Sequence, residues 1–116
     1  MKEIRAYLHK NRIADVLAAI EQSGLTATSV RPGVVNINVT AVQSLLKAID
    51  KAEQRFSVEL GEAVIEEVRL ELLCEDHQVD AVVACIGRAG RTGQRVAGYV
   101  CVADVALVVA IGGPHP

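Results

Sequence analysis

The chain has 116 residues, of which 51% are hydrophobic, and its aromatic residues are Tyr7, Phe56 and Tyr99. A single domain of this size buries only about two-thirds of its unfolded surface, so we expect an aliphatic core with additional burial through oligomerisation. The formal net charge is -2. A chain with this net charge has no positive electrostatic field to attract a phosphate backbone, which argues against nucleic acid as a partner.

The cysteine content and the first residues indicate the cellular compartment. The three cysteines, Cys74, Cys85 and Cys101, form no paired framework, and the chain opens without a signal-peptide pattern. Charged residues recur too often for a membrane-spanning segment. We therefore expect a protein of the reducing cytoplasm.

The first half of the chain predicts a strand, a helix and a second strand. Residues 1–10 alternate in polarity, which is typical of a half-buried strand. The next apolar positions have the spacing of an amphipathic helix, and they are Ile13, Val16, Leu17 and Ile20. Asn11 is its predicted cap, and Gly24 supplies the left-handed residue at its end. Leu25–Val30 is predicted to be the second strand.

The second half repeats this order. Residues 68–72 alternate as a strand does, and Asp76 is the predicted cap of the helix that follows. The apolar positions of that helix are Val79, Val82, Val83 and Ile86. Gly87 and Gly90 are predicted to end it, and two apolar segments, Val100–Val102 and Val105–Ile111, are predicted to be strand and sheet edge.

Two such halves predict an α+β fold of the ferredoxin-like type. In this arrangement a duplicated βαβ unit forms a four-stranded antiparallel sheet with both helices on one face. The chain is predicted to be a single domain over residues 1–116. This fold hosts many unrelated functions, so it does not by itself name one.

The middle of the chain, about residues 31–67, is longer than a plain hairpin requires. Pro32-Gly33 predicts a turn, and residues 34–39 fit either a strand or an extended loop. Thr40 is a predicted cap for a helix whose apolar face carries Val42, Leu45, Leu46 and Ile49. Such a segment has two interpretations. It is a surface helix that covers the sheet or packs on a neighbouring subunit, or it is a mobile arm that binds a partner.

Three segments resemble the P-II nitrogen-regulatory family. MKEIRAYLHKNRIADVLAAIEQSGL resembles its first strand and helix, VRLELLCED resembles its third strand, and RAGRTGQRVAGYV resembles its Arg-Thr-Gly nucleotide loop. The resemblance covers about three-quarters of the chain in the same order. The segment of about 31–67, where the family carries its T-loop, aligns poorly and contains no tyrosine for nucleotidylation.

The resemblance implies a homotrimer that binds an adenine nucleotide in a cleft between subunits. It places the nucleotide or anion site at one loop and two strand positions, namely Arg91, Thr92, Gly93, Gln94, Arg95, Gly98, Ser29 and Glu71. Gly93 and Gly98 allow backbone N–H groups to turn toward an anion, and the two arginines can neutralise it.

The chain also departs from the family's pattern. Its loop lacks one glycine, the aspartate and both lysines of the family's Gly-Lys-x-Gly-Asp-Gly-Lys run. The family's later Arg-x-Arg-Thr-Gly clamp corresponds here to residues 108–113, which carry no cation. No resident cofactor is assigned, and among nucleotides ADP or AMP fit better than ATP because they need less positive charge at the far phosphate.

The resemblance implies a signal-transduction protein that senses a small molecule and regulates a transporter or enzyme of nitrogen or inorganic-carbon metabolism. Two alternatives stay open: a ligand-free trimeric adaptor, and a metal-responsive protein like the CutA family. The metal hypothesis depends on Cys74, His77 and His9, although no metal site is assigned. We do not expect an enzyme, since no catalytic triad, paired carboxylates or Walker motif is present.

Overall fold

The computed structural model describes residues 1–45, 54–57, 59–60 and 62–112. The helices and strands follow the order of two βαβ units with one additional short strand. They are β1 (Lys2–His9), α1 (Ile13–Gln22), β2 (Val35–Leu45), β3 (Gln54–Ser57), β4 (Glu62–Cys74), α2 (Val79–Ala89) and β5 (Tyr99–Asp104).

The sheet confirms the predicted ferredoxin-like arrangement. Four strands pair in the order β2-β4-β1-β5, and each neighbouring pair is antiparallel. The short strand β3 also pairs with β4. Because Val64 and Ile65 of β4 pair with both β2 and β3, β3 must lie on the side of β4 that β1 occupies further along.

The core lies between one face of this sheet and both helices. The alternating residues of β1 and β4 face the apolar stripes of α1 and α2, since side chains of a strand point alternately to opposite faces. Its buried residues are Ile4, Ala6, Leu8, Val16, Ile20, Val34, Leu70, Leu72, Cys74, Val82, Cys85 and Ile86. The predicted helical stripes and the alternation of the first strand are therefore confirmed.

The middle of the chain differs from its prediction. Thr40, Val42 and Leu45 lie in the strand β2, so the helix predicted to begin at Thr40 is wrong over these residues. The other two residues of that helix, Leu46 and Ile49, lie outside the described residues. β-branched residues are frequent in this segment, and pairing with β4 outweighs the helical spacing that a few apolar positions share by coincidence.

The predicted second strand is also displaced along the chain. Within Leu25–Val30 only Thr26 makes an isolated bridge, to Val34, while residues 29–31 form a bend. A turn closes here because the Thr28 N–H donates to the Arg31 carbonyl over 2.9 Å. The strand that completes the first βαβ unit is therefore β2.

Neither predicted cap is the residue that caps the chain before its helix. The His9 Nδ1 accepts a hydrogen bond from the Asn11 N–H over 3.2 Å, so His9 rather than Asn11 caps the turn before α1. Glu75 and Gln78 form a reciprocal capping box before α2, in place of a cap by Asp76. In both halves a short 3-10 turn separates strand from helix.

The ends of the helices agree in part with the sequence predictions. Gly24 lies beyond α1 with φ +75°, which confirms its left-handed conformation. Gly87 lies within α2, and Gly90 alone ends that helix, its N–H donating to the Ile86 carbonyl over 2.9 Å. Residues 105–110 follow β5 without forming the predicted edge strand.

Candidate functional site

The connection from α2 to β5 borders a cleft of about 370 Å³. The predicted loop residues that line this cleft are Arg91, Gly93, Gln94, Arg95 and Gly98. Thr92 is absent from the lining. Five of the six predicted loop residues thus share one concave surface.

Thr92 stabilises the turn of this loop without lining the cleft. Its Oγ1 accepts a hydrogen bond from the Gln94 N–H over 3.3 Å and donates to the Gln94 Oε1 over 3.2 Å. Gly93 lies between them with φ +87°, a conformation in which a glycine carries no steric cost. The hydroxyl is therefore committed to a local turn that presents the residues on either side of it.

Gly98 lets the loop approach the end of β1. A Cβ added at this position would lie 2.0 Å from the carbonyl oxygen of Tyr7 and 3.7 Å from the Cα of Leu8. Only a residue without a side chain fits this contact. Gly98 thus fixes the distance between the loop and the strand that supplies part of the cleft lining.

The charge of the cleft comes from two guanidinium groups. Arg91 and Arg95 are exposed, and neither makes an ion pair or hydrogen bond to another residue of the described chain. Among the residues that the structure describes, no aspartate or glutamate lines the cleft. Two uncompensated cations therefore face solvent beside a concave surface, which is an electrostatic arrangement suited to an anion.

The cleft also has an apolar floor that the sequence prediction did not include. Leu8 and Ile86 are buried core residues that reach the lining, and Val96 and Val100 contribute from the loop and β5. Their periodicity identified Leu8 and Ile86 only as core positions. No sequence signal places Leu8 beside the Arg91–Gly98 loop, which is distant from it along the chain. The contact depends on the pairing of β1 with β5.

Glu71 belongs to the opposite face of the sheet from the helices. It neighbours the buried Leu70 and Leu72 on β4, and its Oε1 lies 2.8 Å from the Arg69 Nε and 3.6 Å from the Arg5 Nε. A hydrogen bond to Tyr7 and the charge of Glu71 raise the pKa of Arg5. Within one chain, Glu71 is thus an ion-pair partner that does not line the cleft.

Ser29 lies in a second and separate cleft of about 340 Å³, among the residues 27–33 that precede β2. It is exposed at a bend rather than on a strand, so its predicted place on the second strand is wrong. Met1, Val35 and Glu75 complete this lining. A single chain therefore does not bring Ser29, Glu71 and the Arg91–Gly98 loop into one site.

The register of the sheet separates the residues of the metal hypothesis. Lys2 pairs with Cys74 at one end of β1, and His9 pairs with Glu67 at the other end, so His9 and Cys74 are about 24 Å apart at ~3.4 Å per residue. The register therefore does not bring His9 and Cys74 together, as the metal hypothesis requires. No cluster of three or more potential metal ligands occurs among the described residues.

Comparison with known proteins gives relatives that include a match over nearly the whole chain. The nitrogen regulatory protein P-II of Microchaete diplosiphon is 27% identical over 111 residues, which cover 96% of this chain and 91% of the relative. No protein-family model matches the chain. This similarity over nearly the whole chain supports a divergent P-II-like member.

The structure shows where this P-II-like chain departs from the family resemblance. The segment after β5 carries exposed valine, leucine and isoleucine side chains between residues 105 and 111, where the resemblance implies phosphate-binding arginines. The positive charge of the cleft is consequently limited to the loop. An anion there would meet two arginines and backbone N–H groups rather than a larger cationic clamp.

The described part of this P-II-like chain contains no helix that is long and apolar enough to cross a membrane.

Proposed function

We propose that this P-II-like chain is a regulatory protein that binds a small anion, with an adenine nucleotide as the leading candidate, at the Arg91–Gly98 loop. The observation that carries the proposal is a pair of guanidinium groups, Arg91 and Arg95, that have no ion-pair partner among the described residues and lie beside an apolar floor. A concave site with an apolar surface and a few polar groups is the usual form of a small-molecule site. The family resemblance supports the same loop.

The two parts of the cleft divide the recognition of such a ligand. The apolar side chains of Leu8, Ile86 and Val100 suit a planar ring, whose burial removes apolar surface from water. Arg91 and Arg95 suit phosphate or carboxylate oxygens, which guanidinium groups bind through paired N–H donors. With two cations, ADP or AMP is a better match than ATP.

The proposed assembly is a cytoplasmic homotrimer, by resemblance to the family. Ser29 and Glu71 lie outside the loop cleft of their own chain. If they contribute to the nucleotide site, they do so from a neighbouring subunit. The trimer is therefore the arrangement in which all the predicted site residues have a role.

The proposed output is a change in the segment of about 31–67, read by a target transporter or enzyme of nitrogen or inorganic-carbon metabolism. Its described part includes β2, most of whose side chains are exposed. Ligand binding would favour one arrangement of this segment, and the target would bind that arrangement more tightly. The protein would thus act by a population shift and without catalysis.

A thermal-shift titration with ATP, ADP, AMP, 2-oxoglutarate and bicarbonate tests the proposal. A ligand at 100 times its Kd stabilises the folded state by about 2.7 kcal/mol, which raises the Tm of a domain of this size by several degrees. We expect ADP or AMP to give this shift. The double variant Arg91→Ala/Arg95→Ala should lose it while keeping the Tm of the ligand-free protein.

Arg88→Ala is the matched control, because Arg88 is an exposed arginine of α2 that does not line the cleft. It should retain the full ligand-induced shift. A shift that survives in the double variant would contradict binding at this loop. No shift with any of the five compounds would contradict the proposed ligand class.

The second candidate function is a constitutive trimeric adaptor without a small-molecule ligand. The uncharged segment after β5 favours it, because no cation is available there for phosphate. In that case none of the five compounds would change the Tm of the parent protein or of the double arginine variant. Target binding would also not depend on nucleotide.

A further inference from the structure

Two glycines at the end of α2 line the cleft, and they differ in what surrounds them. Gly87 lies within the helix, and Gly90 ends it. A Cβ added at Gly90 would lie 2.9 Å from the Ile86 carbonyl oxygen and 3.1 Å from the Leu8 Cδ2. A Cβ added at Gly87 would meet no described atom within 4 Å outside its own helical backbone and chain neighbours. Close packing therefore explains Gly90 but not Gly87.

The backbone conformation does not explain Gly87 either. It is absent from the described glycines with positive φ, and its helical conformation is open to any residue. A glycine inside a helix lowers stability relative to alanine, because the unfolded chain has more conformational freedom to lose. Gly87 thus weakens α2 at an exposed position where a side chain would fit. The remaining effect of this glycine is the space that it leaves open.

That space belongs to the cleft of the Arg91–Gly98 loop. Gly87 lines it together with Ile86 from the same helix and Val100 from β5. The cleft has a volume of about 370 Å³, which lies in the usual range of about 300–1,000 Å³ for sites of organic ligands. A bare inorganic anion would occupy only the part beside the arginines. The part beside Gly87 is then free for a second, bulkier group of the same ligand.

The end of α2 determines which group suits this space. The last carbonyls of a helix lack partners within the helix and give its C-terminus a partial negative charge. Gly87 lies in the last turn of α2, which ends at Ala89, and Arg88 of that turn does not line the cleft. A phosphate is therefore disfavoured beside Gly87 and favoured beside Arg91 and Arg95. An uncharged ring with N–H donors suits both the carbonyls and the apolar floor.

We propose that Gly87 is a specificity-determining residue, which leaves room in the cleft for the base of a nucleoside phosphate. The phosphate lies against Arg91 and Arg95. The base lies over Gly87 and contacts Ile86 and Val100. The cleft thereby selects a nucleoside phosphate over a sugar phosphate that carries the same phosphate group. This inference rests on the proposed function and adds which part of the ligand lies against α2.

Isothermal titration calorimetry with AMP and ribose 5-phosphate tests this assignment, because the two compounds share a phosphate monoester and differ in the base. We expect the parent protein to bind AMP about tenfold more tightly, since the base buries apolar surface. Gly87→Leu fills the space and should weaken AMP about tenfold, while the Kd of ribose 5-phosphate changes by less than about twofold. Gly87→Ala adds a single methyl group and should give an intermediate loss for AMP.

The same two variants should stabilise the ligand-free protein. Alanine and leucine both favour a helix over glycine, so we expect the Tm to rise by about 3–6 °C. A higher Tm together with weaker AMP binding separates lost ligand space from structural damage, which would lower both. Ala84→Leu is the matched control, because Ala84 is exposed three residues earlier on α2 and does not line the cleft. It should leave both Kd values unchanged.

The outcomes separate this inference from the proposed function. Undiminished AMP binding by Gly87→Leu would overturn the role of Gly87 and leave the loop site intact. Equal weakening of both compounds, or equal affinity of the parent protein for them, would also overturn a base beside Gly87. The double variant Arg91→Ala/Arg95→Ala should weaken both compounds alike. A parent protein that binds neither compound would contradict the proposed function and this inference together.

Discussion

At the scale of single residues, two glycines of the same loop have different physical roles. A Cβ at Gly98 would meet the Tyr7 carbonyl oxygen at 2.0 Å, whereas a Cβ at Gly93 would meet nothing within 4 Å. Gly93 is required only for its backbone conformation, with φ +87°. Gly98 is required because the loop and β1 are in direct contact.

The two alanine substitutions should therefore differ in cost. Gly93→Ala should lower the free energy of unfolding by about 1–2 kcal/mol, the cost of a left-handed residue with a side chain. Gly98→Ala should cost more, because the backbone of the loop must move away from β1. Urea denaturation measures both values. Equal losses would contradict the close contact at Gly98.

Cys74 gives the fold a dependence on alkaline pH. It is fully buried, and burial followed by the nearby charge of Glu75 raises the pKa of its thiol. Because the pKa is raised in the folded protein, the protonated thiol contributes its full stability below the ordinary thiol pKa of about 8.5. This contribution is lost as the pH rises through the pKa of the thiol in the folded protein.

Urea midpoints at pH 7.5 and pH 9.5 check this expectation. The parent protein should lose more stability between these pH values than Cys74→Ala does, so the difference between the two proteins shrinks at high pH. Cys101→Ala is the control, since Cys101 is exposed. A constant difference between the parent and Cys74→Ala would show that the buried thiol does not titrate as expected.

At the scale of elements, an arginine at the start of α1 binds the end of α2. The Arg12 Nε and Nη2 both donate to the Ala89 carbonyl, over 3.1 and 2.8 Å, and Nη1 lies 2.8 Å from the Asp15 carboxylate. The last carbonyls of a helix lack partners within the helix. Arg12 thus joins the two halves of the duplicated fold through one unsatisfied group.

Arg12→Ala should lower the free energy of unfolding by about 1–2 kcal/mol, below the full value of a charged hydrogen bond because the side chain is partly exposed. Arg88→Ala removes an exposed arginine near the same helix end without a described contact and should change stability little. Chemical denaturation of both variants makes the comparison. Similar losses would indicate a general charge effect at the end of α2 rather than the bond to Ala89.

At the scale of the whole molecule, the core is centred on β1, β4 and the two helices, while β2 lies at its margin. Leu72 of β4 is 1% exposed, and Val39 of the neighbouring β2 is 43% exposed. The buried cluster accordingly contains no residue of β2. The outer strand is held by pairing with β4 and little by side-chain burial.

Leu72→Ala should therefore cost about 2–5 kcal/mol of unfolding free energy, as truncations of buried leucine do. Val39→Ala should cost less than about 1 kcal/mol, mainly through reduced strand preference. Denaturant unfolding at one protein concentration measures both. A large loss for Val39→Ala would show that Val39 is buried in solution, as it would be against a neighbouring subunit of the proposed trimer.

The sequence predicted those features that depend on local periodicity. The alternation that ends at Leu8 and the helical stripes that contain Val16 and Ile86 correctly indicated strands, helices and the face each one buries. Duplication of the pattern was sufficient for the ferredoxin-like fold. The loop of the candidate site was found through its Arg91-Thr92-Gly93 run, because that resemblance is contained in one short segment.

The predictions that failed are those in which pairing between distant residues outweighs local pattern. Thr40 and Val42 have helical spacing with Leu45, yet β4 holds them in a strand. Ser29 has a β-like neighbourhood, yet hydrogen bonds between Thr28 and Arg31 turn the chain before a strand can form. Local sequence cannot rank these competing contacts, because their partners are remote in the chain.

What the sequence alone determined is therefore the first strand, the two helices and the strand before the second helix, together with their buried faces and the two cations of the loop. Only the tertiary structure decided that Leu8 lies beside those cations, that Glu71 is engaged by Arg69 and that Ser29 lines another cleft. The reason is physical: periodicity reports which side of an element avoids water, whereas the neighbours of that side depend on strand order and register.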